Sequence, residues 1–284
     1  MKVHSPRTLD DALAALQEAT PQTKLLAGGT DLMVELDIGR TQPDRVIDLW
    51  RVDELRGIEC EPDGLRLGAL VTCTELVESE LVRDHADLLA QASGDFGATQ
   101  IRNRATLGGN LGTASPAADL NPALLALGAS VRLHSQAGQR DVPASEFLTG
   151  YREHAGQAHE LIGSVWIPAR PDNERRGFRK VGTRRAQSIS KVVVALALCG
   201  TRERVESVTA AAGSIAERTL VLPAVADELV GNEPSAERID RAARRAADED
   251  ARPRDDVRSS ARYRRETLYR VLRRLLSQVS GELS

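Results

Sequence analysis

The chain has 284 residues, of which 41% are hydrophobic, 28% charged and 3% aromatic, and its formal net charge at pH 7 is -3. This composition is typical of a globular protein with a real core. The small net charge gives no reason to expect a nucleic-acid or membrane partner, and so few aromatic residues disfavour single-strand binding by base stacking. No segment approaches the roughly 18 apolar residues of a membrane-spanning helix. Because the start also lacks the apolar core of a signal peptide, we expect a cytoplasmic protein with no membrane insertion.

The N-terminal half of the chain alternates the patterns of helices and strands. Thr8, followed by Asp11, caps a helix with Leu9, Leu13 and Leu16 on one face. The other elements that these patterns predict are strands at 24–27, 46–49, 65–67, 131–134 and 160–167, a helix at 32–36, a helix behind the capping box of Thr72 and Glu75, and a helix that begins at Asn121.

A polar stretch at 169–176 predicts a linker between this half and the rest of the chain. Beyond it, the patterns predict strands at 178–181, 191–198 and 205–212 and helices at 235–249 and 262–278. The whole pattern indicates an α+β protein with a domain boundary near residue 170. The last helix carries arginines that predict a solvated face, with docking to a partner as the alternative, and these are Arg262, Arg264, Arg265, Arg270, Arg273 and Arg274.

Two glycine-rich stretches, at 25–32 and 105–119, carry the most information about function. Their paired glycines are adjacent, so neither stretch has the spaced glycines of a dinucleotide fingerprint or the lysine of a P-loop. Adjacent glycines allow positive φ angles and let backbone N–H groups converge on an anion such as a pyrophosphate. A tight turn is the alternative for each stretch taken singly, but the second is unusually long and polar for a plain turn. The hydroxyl groups that add donors are those of Thr30, Thr113 and Ser115.

The stretch at 106–127 resembles the flavin-binding signature of the xanthine dehydrogenase family, which includes the medium subunits of carbon monoxide dehydrogenases and related aldehyde and nicotine hydroxylases. The residues that carry this resemblance are Thr-Leu-Gly-Gly-Asn-Leu-Gly-Thr-Ala-Ser-Pro-Ala-Ala-Asp-Leu-Asn-Pro-Ala-Leu-Leu-Ala-Leu. The Ala-Gly-Gly-Thr-Asp-Leu at 27–32 resembles the first FAD loop of the same family. Segments at 147–152, 160–168, 178–189 and 255–264 resemble later motifs of the family, in the same order. The resemblance therefore spans nearly the whole chain.

The resemblance implies both a fold and a division into domains. We expect an α+β protein with a two-subdomain FAD-binding fold of the vanillyl-alcohol-oxidase (PCMH) type at residues 1–170. Its subdomains would cover about 1–55 and 56–170. A smaller α+β C-terminal domain, like that of carbon monoxide dehydrogenase flavoproteins, would follow at 175–280.

The resemblance also implies an FAD-dependent oxidoreductase subunit of a molybdenum hydroxylase. Such a subunit accepts electrons from the [2Fe–2S] clusters of a small subunit and passes them to an external acceptor. A large subunit carries molybdopterin and selects the substrate, and the implied assembly is a dimer of heterotrimers. FAD would be bound non-covalently, since neither glycine-rich stretch contains a histidine to attach it. The expected cofactor of this chain is thus FAD, whereas molybdopterin and the clusters belong to its partners.

Individual roles follow from the resemblance position by position. Asp119 would accept hydrogen bonds from ribose or ribityl hydroxyls, and Lys180 would stabilise the anionic reduced flavin near its N1–C2 edge. A surface acid and a solvated strand lysine are the respective alternatives, and Phe96 and Ile162 could be plain core residues. The complete set of expected FAD-binding residues is Leu25, Leu26, Ala27, Gly28, Gly29, Thr30, Asp31, Leu32, Phe96, Thr106, Leu107, Gly108, Gly109, Asn110, Thr113, Ser115, Asp119, Ile162 and Lys180.

No catalytic residue and no metal site is predicted on this chain. Cys60, Cys73 and Cys199 are far apart, and the histidines are scattered. Two other functions stay open. A stand-alone flavin oxidoreductase would need an acid or base beside the flavin, for which the sequence offers no candidate. A scaffold that has lost its cofactor is disfavoured by the intact glycine stretches, Asp119 and Lys180.

Overall fold

The computed structural model describes residues 1–281 and residue 283. The N-terminal unit is a three-stranded parallel sheet in the order β1-β3-β2, made of β1 (Lys2–His4), β2 (Lys24–Leu26) and β3 (Arg45–Asp48). Helix α1 (Leu9–Gln17) begins as predicted, with the Thr8 hydroxyl accepting a hydrogen bond from the Asp11 N–H at 3.1 Å. Helix α2 (Leu32–Asp37) follows β2, and all its residues are exposed or half-buried.

The second unit is a five-stranded antiparallel sheet in the order β4-β5-β10-β6-β7. It packs against short helices through a core that includes Leu65, Leu107, Leu124 and Phe147. Its strands, with a separate hairpin of β8 and β9, are β4 (Ile58–Glu61), β5 (Gly64–Gly68), β6 (Ser130–Ser135), β7 (Gly138–Pro143), β8 (Leu148–Gly150), β9 (Glu153–His154) and β10 (Leu161–Pro168). Its helices are α3 (Cys73–Glu78), α4 (Glu80–His85), α5 (Asp87–Gly94), α6 (Thr99–Arg102), α7 (Leu107–Thr113), α8 (Asn121–Ala126) and α9 (Ala144–Phe147).

The C-terminal unit is a four-stranded antiparallel sheet covered by helices. Its strands run in sequence order and are β11 (Glu174–Val181), β12 (Val192–Gly200), β13 (Val205–Gly213) and β14 (Leu220–Val221). Every residue of β12 is buried, because this strand lies inside the sheet with α12 on one face and α8 of the second unit near it. The covering helices are α10 (Pro223–Leu229), α11 (Ala236–Arg245) and α12 (Ala261–Gly281).

Most predicted elements are present, and the differences have local causes. The capping box of Thr72 and Glu75 is formed, with each side chain bonded to the backbone of the other residue. The predicted linker at 169–176 is too long, because β11 already begins at Glu174 and pairs with Cys199 of β12. Strand β7 gave no sequence signal, since five of its six residues are exposed. Among the described residues, no helix is long and apolar enough to cross a membrane.

Candidate functional site

A cleft of about 1220 Å³ lies where the three units meet. All of the residues predicted to bind FAD line this cleft except Leu107 and Lys180. The fold thus brings together positions from β2, α7, β10 and the segment before α8, which are far apart in the sequence. Cavities that hold drug-sized ligands measure roughly 300–1,000 Å³, so the volume of this cleft is sufficient for a ligand larger than that class, such as a dinucleotide.

The first glycine stretch is an open loop between β2 and α2. Gly29 has φ +79, a left-handed conformation that a side chain would disfavour. The backbone N–H groups of residues 28–31 donate to no acceptor within the described part of the chain, while the cleft lies beside them. Free backbone N–H groups on consecutive loop residues are donors that a phosphate group can use. This loop can therefore bind an anion.

The second glycine stretch differs from the predicted loop, because residues 107–113 form helix α7. Thr106 caps the helix, its hydroxyl accepting from the Gly109 N–H at 3.0 Å. The N–H groups of Leu107 and Gly108 donate to the carbonyls of Val71 and Ala69 at 2.9 and 2.8 Å. Since the protein already satisfies these donors, α7 forms a wall of the cleft and the first loop supplies the free N–H groups.

The two glycine stretches are in direct contact. Gly28 packs so tightly on the chain before α7 that an added Cβ would lie 1.7 Å from the carbonyl oxygen of Arg104. The Thr113 hydroxyl donates to Oδ2 of Asp31 at 3.0 Å, which joins α7 to the first loop. Arg104 itself lies with its guanidinium 3.6 Å from the ring centroid of Trp50, in a cation–π contact. Backbone packing at Gly28 and the side-chain hydrogen bond between Thr113 and Asp31 therefore hold the two stretches together.

Asp119, which lines the cleft, forms a buried ion pair with Lys180. Oδ2 of Asp119 lies 2.6 Å from Nζ of Lys180, and the side chains are only 9% and 5% exposed. The ammonium also donates to the Asp95 carbonyl at 2.8 Å. Burial raises the pKa of Asp119 above its ordinary value, although Lys180 and a hydrogen bond from Ser190 act against this rise. Lys180 lies behind Asp119, so that it neutralises the carboxylate instead of lining the cleft.

The remaining predicted residues divide between cleft and core. Phe96 and Ile162 are half-buried and line the cleft. Leu107, the first residue of α7, is fully buried in the core of the second unit and does not line the cleft. Arg102, which precedes the second stretch, donates to the carbonyl of Phe96 at 3.2 Å. The guanidinium of Arg102 therefore holds the backbone of the segment that carries Phe96.

The C-terminal unit contributes a wall of the cleft that was not predicted from the sequence. Ser190, Ser214, Asp256 and Arg264 all line the cleft. Arg264 was expected on a solvated face of α12 but is only 4% exposed. A signal for its burial existed, since it precedes Leu268 by four residues and so shares the apolar face of the helix.

His154, the last residue of β9, lines the cleft and stacks on Phe147, with ring centroids 5.0 Å apart. Its Nδ1 accepts a hydrogen bond from the Gly156 N–H at 3.1 Å, which requires that atom to be unprotonated. Burial lowers the pKa of His154 below its ordinary value. The folded state therefore disfavours the imidazolium form.

We expect His154→Phe to reduce the loss of stability on acidification. Because the unfolded chain binds the proton first, the stability that the neutral imidazole provides is lost as the pH falls below about 6.5. Phenylalanine keeps the stacking on Phe147 and has nothing to protonate. Melting temperatures between about pH 7.5 and about pH 5.5 test this, with the exposed His4→Gln as the control. Equal acid sensitivity in wild type and His154→Phe would show that the ring does not titrate as described.

Comparisons with known proteins agree with this architecture. Residues 1–170 match the family described as the FAD binding domain in molybdopterin dehydrogenase, and residues 178–279 match the CO dehydrogenase flavoprotein C-terminal domain. The nicotine 6-hydroxylase medium subunit of Paenarthrobacter nicotinovorans is 32% identical, over 98% of this chain and 96% of that protein. The xanthine dehydrogenase FAD-binding subunit of Escherichia coli O157:H7 is 30% identical, over 97% and 94%. A structure of carbon monoxide dehydrogenase from Hydrogenophaga pseudoflava superposes with a TM-score of 0.96 at 26% identity, over 100% and 98%.

Proposed function

Because the chain belongs to the family of FAD-binding domains of molybdopterin dehydrogenases, we propose that it is the flavin-carrying electron-transfer subunit of a three-component molybdenum hydroxylase. Its partners would be a small subunit with [2Fe–2S] clusters and a large molybdopterin subunit, and the whole would be a dimer of such heterotrimers in the cytoplasm. Relatives whose names specify a medium or FAD-binding subunit support this assignment. They do not favour a stand-alone flavoenzyme or a scaffold.

The residues of the cleft fit FAD at both of its polar regions. The free N–H groups of residues 28–31 suit a diphosphate, and Gly28 leaves no side chain between the two glycine stretches. Asp119 lines the cleft with a carboxylate that can accept hydrogen bonds from sugar hydroxyls. The half-buried Phe96 and Ile162 offer apolar surface for a ring system. The single observation that carries the proposal is this row of free donors within a cleft of dinucleotide size.

Each group of residues has a separate task in this function. We propose that residues 25–32 hold the diphosphate and adenosine end, and that Thr106, Gly108, Gly109, Asn110, Thr113 and Ser115 shape the opposite wall. Asp119, with Lys180 behind it, would orient the hydroxyl-bearing chain. When bound, FAD supplies the chemistry of electron acceptance and donation. The chain needs no acid or base of its own for that chemistry.

The proposal predicts that electron transfer from substrate needs partner subunits. The tagged chain purified from its native host should carry FAD together with molybdenum and iron. Xanthine, nicotine and carbon monoxide, which the relatives' names suggest, serve as trial electron donors. We expect dithionite to bleach the flavin of the isolated, FAD-loaded chain, whereas none of the three donors does so.

Two results would contradict this function. Bleaching of the isolated chain by one of the donors would identify a stand-alone flavoenzyme. An isolated chain that stays colourless after incubation with excess FAD would identify a scaffold. A purified complex without molybdenum and iron in amounts comparable to the chain would contradict the proposed partner subunits.

A further inference from the structure

A continuous series of buried hydrogen bonds joins the first turn of α12 to the carboxylate of Asp119. It begins at Arg264 in the C-terminal unit and passes through Ser214 and Ser190. We propose that Arg264 is a positioning residue for the flavin site, acting through these two serines to fix the carboxylate of Asp119 against the cleft. The inference rests on the proposed function, since the ligand that Asp119 would meet there is FAD.

Arg264 provides the rigid end of the series. One terminal nitrogen donates to the carbonyls of Lys191 at 2.7 Å and Ser214 at 2.9 Å. The other donates to both carboxylate oxygens of Asp256, at 2.8 and 2.9 Å. A planar guanidinium can serve carbonyl and carboxylate partners at once, which an ammonium group cannot do with the same geometry. Arg264 therefore holds the turn after β13 and the turn before β12 in one fixed arrangement.

Ser214 connects the C-terminal unit to the second unit. Its φ of +64 lies in the left-handed region, which residues with a side chain adopt only when their surroundings enforce it. The surroundings do so here, because all of its polar groups are bonded. Its N–H donates to the Pro116 carbonyl at 2.7 Å, its hydroxyl donates to the Ser190 carbonyl at 2.9 Å, and its carbonyl accepts from Arg264. Pro116 belongs to the segment that leads to Asp119 and also lines the cleft.

Ser190 completes the series at the cleft. It is 1% exposed, and its hydroxyl donates to Oδ1 of Asp119 at 2.5 Å. Since Lys180 already occupies Oδ2, both oxygens are engaged and the carboxylate cannot rotate freely. The orientation of Asp119 toward the cleft thus depends on residues from β11, the turn before β12 and, through Ser214, on α12.

A double-mutant cycle tests whether the series acts on the cofactor through Asp119. The FAD dissociation constant would be measured by equilibrium titration for wild type, Ser190→Ala, Asp119→Asn and the double variant. We expect Ser190→Ala to weaken binding by about tenfold in the wild-type background, by releasing the carboxylate. In the Asp119→Asn background the same substitution should change the dissociation constant by less than about twofold. The visible circular dichroism of the bound flavin should shift in Ser190→Ala, because a released Asp119 carboxylate would change the environment of the flavin ring.

The far end of the series has its own variant and control. Arg264→Lys keeps a cation for Asp256 but cannot reach all its partners, and we expect it to weaken FAD binding at least fivefold. Tyr269→Phe lies in the same helix and removes a 2.7 Å hydrogen bond to Asp240 away from the cleft. It should lower the melting temperature of the flavin-free protein without changing FAD affinity. The melting temperature of each flavin-free variant is measured as well, so that a loss of affinity caused by unfolding is not mistaken for the loss of a contact with FAD.

The outcomes separate this inference from the proposed function. If wild type binds FAD and the two substitutions in the cycle are additive, the positioning role is wrong while the proposed function stands. The same holds if Arg264→Lys behaves like Tyr269→Phe, losing stability but not affinity. If wild type binds no FAD at all, both the proposed function and this inference are wrong.

Discussion

Replacing Gly28 by alanine is expected to lower the affinity of the chain for FAD by about a hundredfold. An added Cβ would lie 1.7 Å from the carbonyl oxygen of Arg104 and 2.5 Å from its carbon, both backbone atoms that cannot move aside. The first glycine loop must therefore shift away from α7. That movement displaces the row of free N–H groups at residues 28–31, which together supply the proposed diphosphate contacts. Equilibrium titration of the flavin-free protein with FAD measures the loss.

Two matched variants make this result specific. Gly94→Ala places a Cβ in open space at the end of α5, and it should leave FAD affinity unchanged. Gly109→Ala brings its Cβ 2.8 Å from the capping hydroxyl of Thr106, a side-chain atom, so its effect should lie between the other two. Wild-type affinity in Gly28→Ala would mean that the contact between the two stretches has no part in binding.

Lys180→Met is expected to lower the free energy of unfolding by about 3–5 kcal/mol. The substitution leaves the carboxylate of Asp119 buried with the Ser190 hydroxyl as its remaining side-chain partner. An uncompensated buried charge is far more costly than the absence of the whole pair. Denaturant titration at neutral pH measures the loss. Asp119→Asn combined with Lys180→Met should recover part of it, because neither charge then remains.

The pH dependence of this variant has a definite sign. Lys180 opposes the rise in the pKa of Asp119 that burial causes. Without it that pKa rises further, so the carboxyl of the folded variant binds a proton more tightly than that of the folded wild type. The deficit of Lys180→Met relative to wild type should therefore shrink as the pH falls toward about 4. Lys191→Met is the control, since its ammonium lies 5.1 Å from the ring centroid of Tyr263 and forms no ion pair among the described residues. A deficit that is independent of pH would contradict this account of the pair.

The sequence was sufficient for elements whose signals are local. The capping box of Thr72 and Glu75 needs only residues three positions apart, and it is formed. The apolar run that became β12 predicts a buried strand by its composition alone. The resemblance added the pairing of two distant glycine stretches, and the family, the fold and an FAD subunit of a molybdenum hydroxylase are confirmed by the comparisons.

Helix α7 could not be predicted from its own residues. Leu-Gly-Gly-Asn-Leu-Gly-Thr has low helix propensity, because three glycines and an asparagine favour other conformations. The helix forms through tertiary contacts that the local sequence does not reveal. Leu107 and Leu111 are fully buried, and Thr106 caps the first turn. The backbone donors of Leu107 and Gly108 find acceptors in the turn that follows β5.

The positions of Lys180 and Arg264 depend on contacts across long stretches of chain. Lys180 meets Asp119, 61 residues earlier, and only this pairing places the ammonium behind the carboxylate. Arg264 meets carbonyls 50 and 73 residues away. Its place on the apolar face of α12 was visible in the sequence, but arginine is seldom buried unless it is paired. Its partner Asp256 lies in the irregular segment before α12, which no helix or strand pattern describes.

A crystal structure of the FAD-loaded chain tests the central claim most directly. We predict that diphosphate oxygens lie within about 3.2 Å of backbone nitrogens in residues 28–31, between the first glycine loop and α7. A diphosphate bound elsewhere on the surface, with those nitrogens facing water, would contradict the account.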